Sequence, residues 1–310
     1  MRDIHWTGVL KRTFREFKED NLTDWAAALT YYGVLSIFPM LIVLVSILGL
    51  VGQSATQPLI NNLSTVAPGP ASQIFSSAIK NLQSSQGTAG VLFVVGIIGA
   101  LWSASGYVAA FMRASNAIYD VEEGRPIWKT APVRVATTLV LVVLLAITAV
   151  GVVLTGGLAK QAGNLLGVGG SAVSVWNIAK WPVLFLIVSL MFAILYWAAP
   201  NVKQPGFRWI SPGGLVGVLV WIVASALFAF YVANFGSYNK TYGALGGVIA
   251  FLVWLWISNT AVLLGAEFNA ELERGRRISG GMPEDREPFV EPRDTRKMSD
   301  AGKREVGAGS

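Results

Sequence analysis

The sequence predicts an all-α integral membrane protein with six transmembrane helices, extra interfacial helices and both termini in the cytoplasm. Three observations lead there. Hydrophobic residues make up 53% of the chain and charged residues only 14%, with a mean hydropathy of +0.54; a soluble domain carries about 25% charged residues. Asp and Glu are absent from Trp25 to Tyr119 and again from Gly124 to Ala266. Apolar stretches recur at lengths that cross a hydrocarbon core of about 30 Å at a helical rise of about 1.5 Å per residue. The expected spans are 25–52, 88–112, 133–156, 178–199, 213–234 and 243–266, within a transmembrane domain of 23–274.

Residues 1–22 lack the apolar core of a signal peptide. Trp6, Val9, Leu10, Phe14 and Phe17 recur at helical spacing, with Lys11, Arg12, Arg15 and Lys18 between them. This is a cytoplasmic amphipathic helix that either lies on the anionic leaflet or packs on the inner face of the bundle. The first span contains Pro39, which removes an N–H and leaves the Leu35 carbonyl without its helical partner. Ser36 is near enough to help satisfy it, and Tyr32, Ser36, Pro39 and Val43 share one face. Two short capping helices are expected at 58–66 and 72–82, separated by Ala67-Pro68-Gly69-Pro70.

In the second span Gly99, Ser103, Gly106 and Ala110 form a small face that lets another helix approach closely, and Arg113 continues it. The chain then extends into the cytoplasm, turns at Gly124 and returns. The third span is a plain Val/Leu/Ala helix with Arg134 at its inner end. The fourth holds Lys180, expected to snorkel, and Pro182. The fifth opens on the small pair Gly213 and Gly217, and the sixth contains Asn259. The last helix is expected to run on to Arg274. Residues 275–310, rich in Gly, Pro, Arg and Glu, read as a disordered cytoplasmic tail.

Charge sets the orientation. The termini and the loops after spans two and four hold 20 Lys and Arg residues; the opposite side holds only Lys80, Lys160, Lys180 and Lys240. That bias puts both ends in the cytoplasm.

Composition also narrows the chemistry. With no Cys and a single His, His5, a thiolate zinc site and a Ser-His-Asp triad are excluded. The spans offer no carboxylate of the kind that ion-coupled pumps use. No catalytic residue, metal site or cofactor is expected, and nucleic acid is not an expected partner.

Several motifs resemble a known family. Asp24–Leu44 is similar to the opening helix of the YihY/virulence factor BrkB membrane proteins, once labelled ribonuclease BN. Leu101-Trp102-Ser103-Ala104-Ser105, then Asn116-Ala117-Ile118-Tyr119 and Arg125, resembles its second motif. Tyr196, Pro200, Arg208, Trp209 and Pro212-Gly213 resemble the third. Tyr242-Gly243-Ala244-Leu245-Gly246 through Leu264-Gly265-Ala266-Glu267-Phe268-Asn269 resembles the last. The likeness covers roughly Arg12 to Arg274. It implies a six-helix bacterial inner-membrane protein and brings no agreed catalytic or binding residues.

Three functional readings follow. A nuclease would need clustered metal ligands, which the sequence lacks. An uncoupled translocator of a lipid or other amphiphile would use neutral polar groups and small helix faces. Its candidate pathway or gate is Ser36, Pro39, Ser103, Arg113, Asn116, Tyr119, Asn259 and Glu267, with Arg113 placed to meet a phosphate or Glu267. A non-transporting envelope assembly protein would instead dock through the basic N-terminus and the tail. Membrane lipids are the expected partners, with anionic lipid against the N-terminal helix. The small faces could equally serve a homo-oligomer.

Overall fold

The computed structural model describes residues 5–51, 89–153, 170–204, 206, 207, 209, 211–234 and 244–308; side chains at 38–51, 89, 90, 92, 93, 149, 150, 152, 153, 170–172, 244, 245 and 308 fall outside that description. The helices expected at 58–66 and 72–82 lie outside the described residues, as do residues 154–169 and 235–243 and Arg208.

The described chain is helical, with one isolated antiparallel bridge between Val202 and Pro292. Its helices are α1 Trp6–Glu19, α2 Leu22–Val51, α3 Ala89–Ile118, α4 Ile127–Val153, α5 Gly170–Ala198, α6 Pro212–Asn234, α7 Ala244–Ser279 and α8 Asp300–Ala308. Five of them contain segments long and apolar enough to cross a membrane: Val94–Ile118, Ile127–Thr148, Val173–Ala198, Pro212–Asn234 and Gly246–Ser279. The helix expected to be the first span, α2, is 30 residues long and runs through Pro39.

Small residues set the closest helix approaches. A Cβ on Gly106 of α3 would stand 2.9 Å from the Tyr32 ring of α2. On Gly265 of α7 it would stand 2.5 Å from the Gly213 carbonyl of α6 and 2.6 Å from the Tyr196 hydroxyl. The small faces read from the sequence are thus used inside the chain. The core lies between them, built from Leu22, Ala26, Leu29, Val108, Phe111, Tyr196 and Leu263.

Helix α6 begins as its sequence dictates. Pro212 follows Ser211, whose hydroxyl accepts from the Gly214 N–H at 3.0 Å. Asn269 of α7 reinforces this start. Its Oδ1 accepts from the Gly213 N–H at 2.8 Å, and its Nδ2 donates to Ser211 at 2.9 Å.

Helix α1 divides its surface. Val9 packs on Phe268 and Leu272 of α7, and Arg12 is paired with the buried Glu271. Trp6, Leu10 and Phe14 remain exposed on the other side. The tail corrects the sequence expectation. Helix α7 continues to Ser279, and the following chain is packed rather than disordered. Phe289, Val290 and Met298 are buried, and Val202 pairs with Pro292 through Lys203 N–H to Glu291 O at 2.8 Å and Arg293 N–H to Asn201 O at 2.9 Å. Lys180 also departs from expectation: it is buried, its ammonium 5.3 Å from the Trp181 ring.

Candidate functional site

The loops after α3 and α5 and the tail build a polar layer at one end of the bundle. Arg125 is its buried cation. Nε and Nη2 grip the two oxygens of Glu123 at 2.8 and 2.6 Å, and Nη2 also reaches the Ala199 carbonyl at 2.7 Å. A guanidinium there satisfies carbonyls left open at the C-terminal end of α5. Burial opposes the Glu123 charge, but the Arg125 and Asn116 hydrogen bonds outweigh it and hold the carboxyl below its ordinary range. Lys129 and Arg296 similarly hold Asp294 low.

Asn116, the first candidate in this layer, donates to Glu123 at 3.1 Å and accepts from the Asn201 N–H at 2.7 Å. Asn201 is fully buried. Its Nδ2 donates to the Glu122 and Asp294 carbonyls, and its Oδ1 accepts from the Asp294 N–H. Tyr119 is buried against Phe289 of the tail, ring centroids 5.7 Å apart.

Deeper, Asn259 of α7 accepts from Tyr107 of α3 at 2.8 Å and donates to Thr30 of α2 at 3.0 Å. It is an interhelical clamp. Ser36 spends its hydroxyl on the Tyr32 carbonyl at 2.8 Å, not on that of Leu35. Ser103 is half-buried on α3, and the side chain of Pro39 lies outside the described residues. Glu267 is fully enclosed in α7, and neither of its carboxylate oxygens has a hydrogen-bond partner among the described residues.

Arg113 does not join Glu267. The buried face of α3 continues from Ala110 to Ala114, which leaves Arg113 exposed on the side toward α4. There it lines a cleft of about 260 Å³ with Ala109, Met112, Thr130, Ala131 and Arg134. Arg134 also lines a second cleft of about 250 Å³ with Ile98, Leu101, Trp102 and Val135. Among the described residues, then, the seven candidates other than Pro39 do not surround one interior opening. Asn259 and Asn116 tie elements together, and Asn116 also lines, with Arg113, the groove on the outside of the bundle.

Sequence reading missed Asn201, Asn269 and the cleft that Arg134 shares with Arg113. The signal for Asn269 was its place in the last motif, and for Asn201 its place beside a helix-ending proline.

A family profile described as "Virulence factor BrkB" matches residues 13–288. Among curated relatives, the chain is 31% identical to a Bacillus subtilis protein named "Putative ribonuclease-like protein YfkH", over 88% of this chain and 98% of that one. It is 30% identical to a "UPF0761 membrane protein" of Alkalilimnicola ehrlichii, over 83% of this chain and 56% of that one. It is 27% identical to another of Mannheimia succiniciproducens, over 86% and 89%. The chain thus spans nearly all of the Bacillus relative and about half of the Alkalilimnicola one. No solved structure matches it.

Proposed function

The chain belongs to the virulence factor BrkB family of membrane proteins, and from that premise we propose that it is a six-span protein of the bacterial inner membrane that moves a lipid or other amphiphile without ion coupling. Two features support the topology. Helix α1 meets the tail through Arg12 with Glu284 and the end of α7 through Arg274 with Glu16, which favours an even number of crossings, with α2 added to the five apolar segments. The excess of Lys and Arg at that end supports a cytoplasmic location.

The observation that carries the transport reading is the pair of adjoining clefts between α3 and α4. They share Arg134 and open among exposed apolar side chains, with Trp102 at 77% and Ile98 at 63% exposure. A headgroup could travel in such a groove while its chains stay in lipid. The filled core and the clamp at Asn259 favour this outer route over an interior one. The exposed Trp6, Leu10 and Phe14, flanked by Lys11 and Arg15, support contact of α1 with anionic lipid.

The test is phospholipid scrambling in proteoliposomes, read with a fluorescent lipid and an impermeant quencher. Ala109→Phe with Ala131→Phe fills the first cleft. Protein-dependent scrambling, lost in the filled variant at unchanged Tm, is the expected result. A rate equal to that of empty vesicles overturns the reading.

A second reading, a non-transporting assembly protein, has its own support. A groove of about 930 Å³ on the tail side is lined by Lys203, Arg277, Arg286 and Lys303 together with Glu291 and Glu305, and this charged lining would suit a charged partner. The ribonuclease wording in the Bacillus relative's name does not extend to this proposal. Among the described residues no group of three or more His, Asp or Glu is arranged to hold a metal ion.

A further inference from the structure

The α3–α4 cleft holds two positive charges that form no ion pair among the described residues. Arg113 is exposed along one wall, and Arg134 faces it from the other. The Nε of Arg134 is enclosed and has no hydrogen-bond partner among the described residues. A buried guanidinium donor left open is costly, so a site that presents one is incomplete without an acceptor. The one acid lining the cleft, Glu123, is already held by Arg125 and Asn116.

Depth and wall chemistry narrow the acceptor. Arg113 stands five residues before the end of α3 and Arg134 seven after the start of α4, so both lie about 8–10 Å inside the helix ends. With α3 and α4 crossing as proposed above, that depth falls in the region of lipid phosphates rather than bulk water. Beyond the arginines the wall turns apolar, with Ile98, Leu101, Trp102 and Val135. The two hydroxyls there are spent on their own helices, Ser105 on the Trp102 carbonyl and Thr138 on that of Arg134. The cleft therefore joins anion donors to an apolar channel.

We propose that this cleft binds the phosphodiester of an anionic phospholipid of the inner leaflet, with Arg113 and Arg134 donating to its oxygens and an acyl chain along Ile98, Leu101, Trp102 and Val135. Two arginines with no spare acid select a headgroup of net negative charge. A zwitterionic lipid would bring its own cation against them. The site shares its cleft with the transport reading but does not need lipid to move. Scrambling without this binding, or binding without scrambling, separates the two.

The test uses the purified full-length protein in neutral detergent. Phosphatidylglycerol, phosphatidylcholine and inorganic phosphate are added separately, with bound lipid read by native mass spectrometry and Tm by thermal unfolding. Phosphatidylglycerol is expected to stay bound and raise Tm, while the other two do neither. Arg113→Gln with Arg134→Gln should weaken its binding about tenfold. Equal binding of phosphatidylcholine, equal stabilisation by inorganic phosphate, or wild-type binding in the double variant overturns the proposal. If the double variant does not fold, Arg113→Gln alone decides. Its exposed side chain can be lost without a buried vacancy, and unchanged phosphatidylglycerol affinity in it counts against the site.

Discussion

The Asn201 N–H donates to the Asn116 side-chain oxygen over 2.7 Å, pinning the loop after α5 to the last turn of α3. Through its own amide Asn201 then holds the Glu122 and Asp294 carbonyls and the Asp294 N–H. One fully buried side chain thus binds three chain segments that are far apart in sequence.

Asn201→Ala strands those three backbone groups. At about 1–3 kcal/mol for each unsatisfied buried group, partly relieved by water, a loss of about 2–4 kcal/mol is expected. Thermal unfolding in detergent measures it. Limited trypsin digestion should also cut sooner at Arg293 and Arg296, because the tail loses its anchor. Unchanged Tm and digestion would show that the hub does not hold the tail.

Asn259→Ala removes the link between α2, α3 and α7. Interhelical hydrogen bonds in membranes are worth about 0.6–1.7 kcal/mol, so a modest fall in Tm is expected. Lipid movement should persist, because the outer cleft does not include this residue. A lost rate at a retained Tm would instead restore an interior pathway.

Two glycines in one helix should respond oppositely. Gly265→Ala drives a methyl against the Gly213 carbonyl and the Tyr196 hydroxyl, and overpacking of that kind costs about 1–3 kcal/mol or more. Gly247→Ala meets nothing within 4 Å among the described residues and should stabilise α7 by about 0.5–1 kcal/mol through propensity alone. Comparable Tm values for the two variants would contradict the close α6–α7 approach.

Asp20 and Asp120 make stability depend on pH near neutrality. Desolvation by the surrounding chain, and then the charge of neighbouring acids, raises each to about 7, even though Asp120 keeps an exposed surface and Asp20 is half-buried. Between the ordinary carboxylate range and about 7 the folded protein keeps protons that the unfolded chain has released. Stability should therefore fall as pH rises through that window and level off above it. Below the ordinary range Glu123 and Asp294, held low by their cationic partners, take up protons and stability falls again. Tm against pH should show a mildly acidic maximum. Asp20→Asn with Asp120→Asn should flatten its neutral side; an unchanged slope there would contradict the assignment.

The fold was legible because span length and missing acids are properties of composition along the chain. The packing of Gly106, Gly213 and Gly217 was legible too, since small residues at helical spacing have few other uses. The candidate site was less so. Steps of three and four residues from Ala110 lead to Arg113 and Ala114, and only the helix's rotation against α2 decides which is buried. Here it is Ala114, so Arg113 turns outward. The tail hid for another reason: its anchors, Met282, Phe289, Val290 and Met298, follow no period among charges and prolines. A Phe-Val pair alone in such a stretch was the one available sign.

The placement of the tail has a consequence for biogenesis. Residues 280–308 leave the ribosome after every apolar helix has been delivered to the bilayer, yet they supply partners for Asn201, Lys129 and Glu122 on segments made much earlier. Those earlier segments must wait with their polar groups in water until synthesis reaches the tail. Closure of this end of the bundle thus follows the synthesis of α7, and a chain cut before residue 280 would insert without being fastened there.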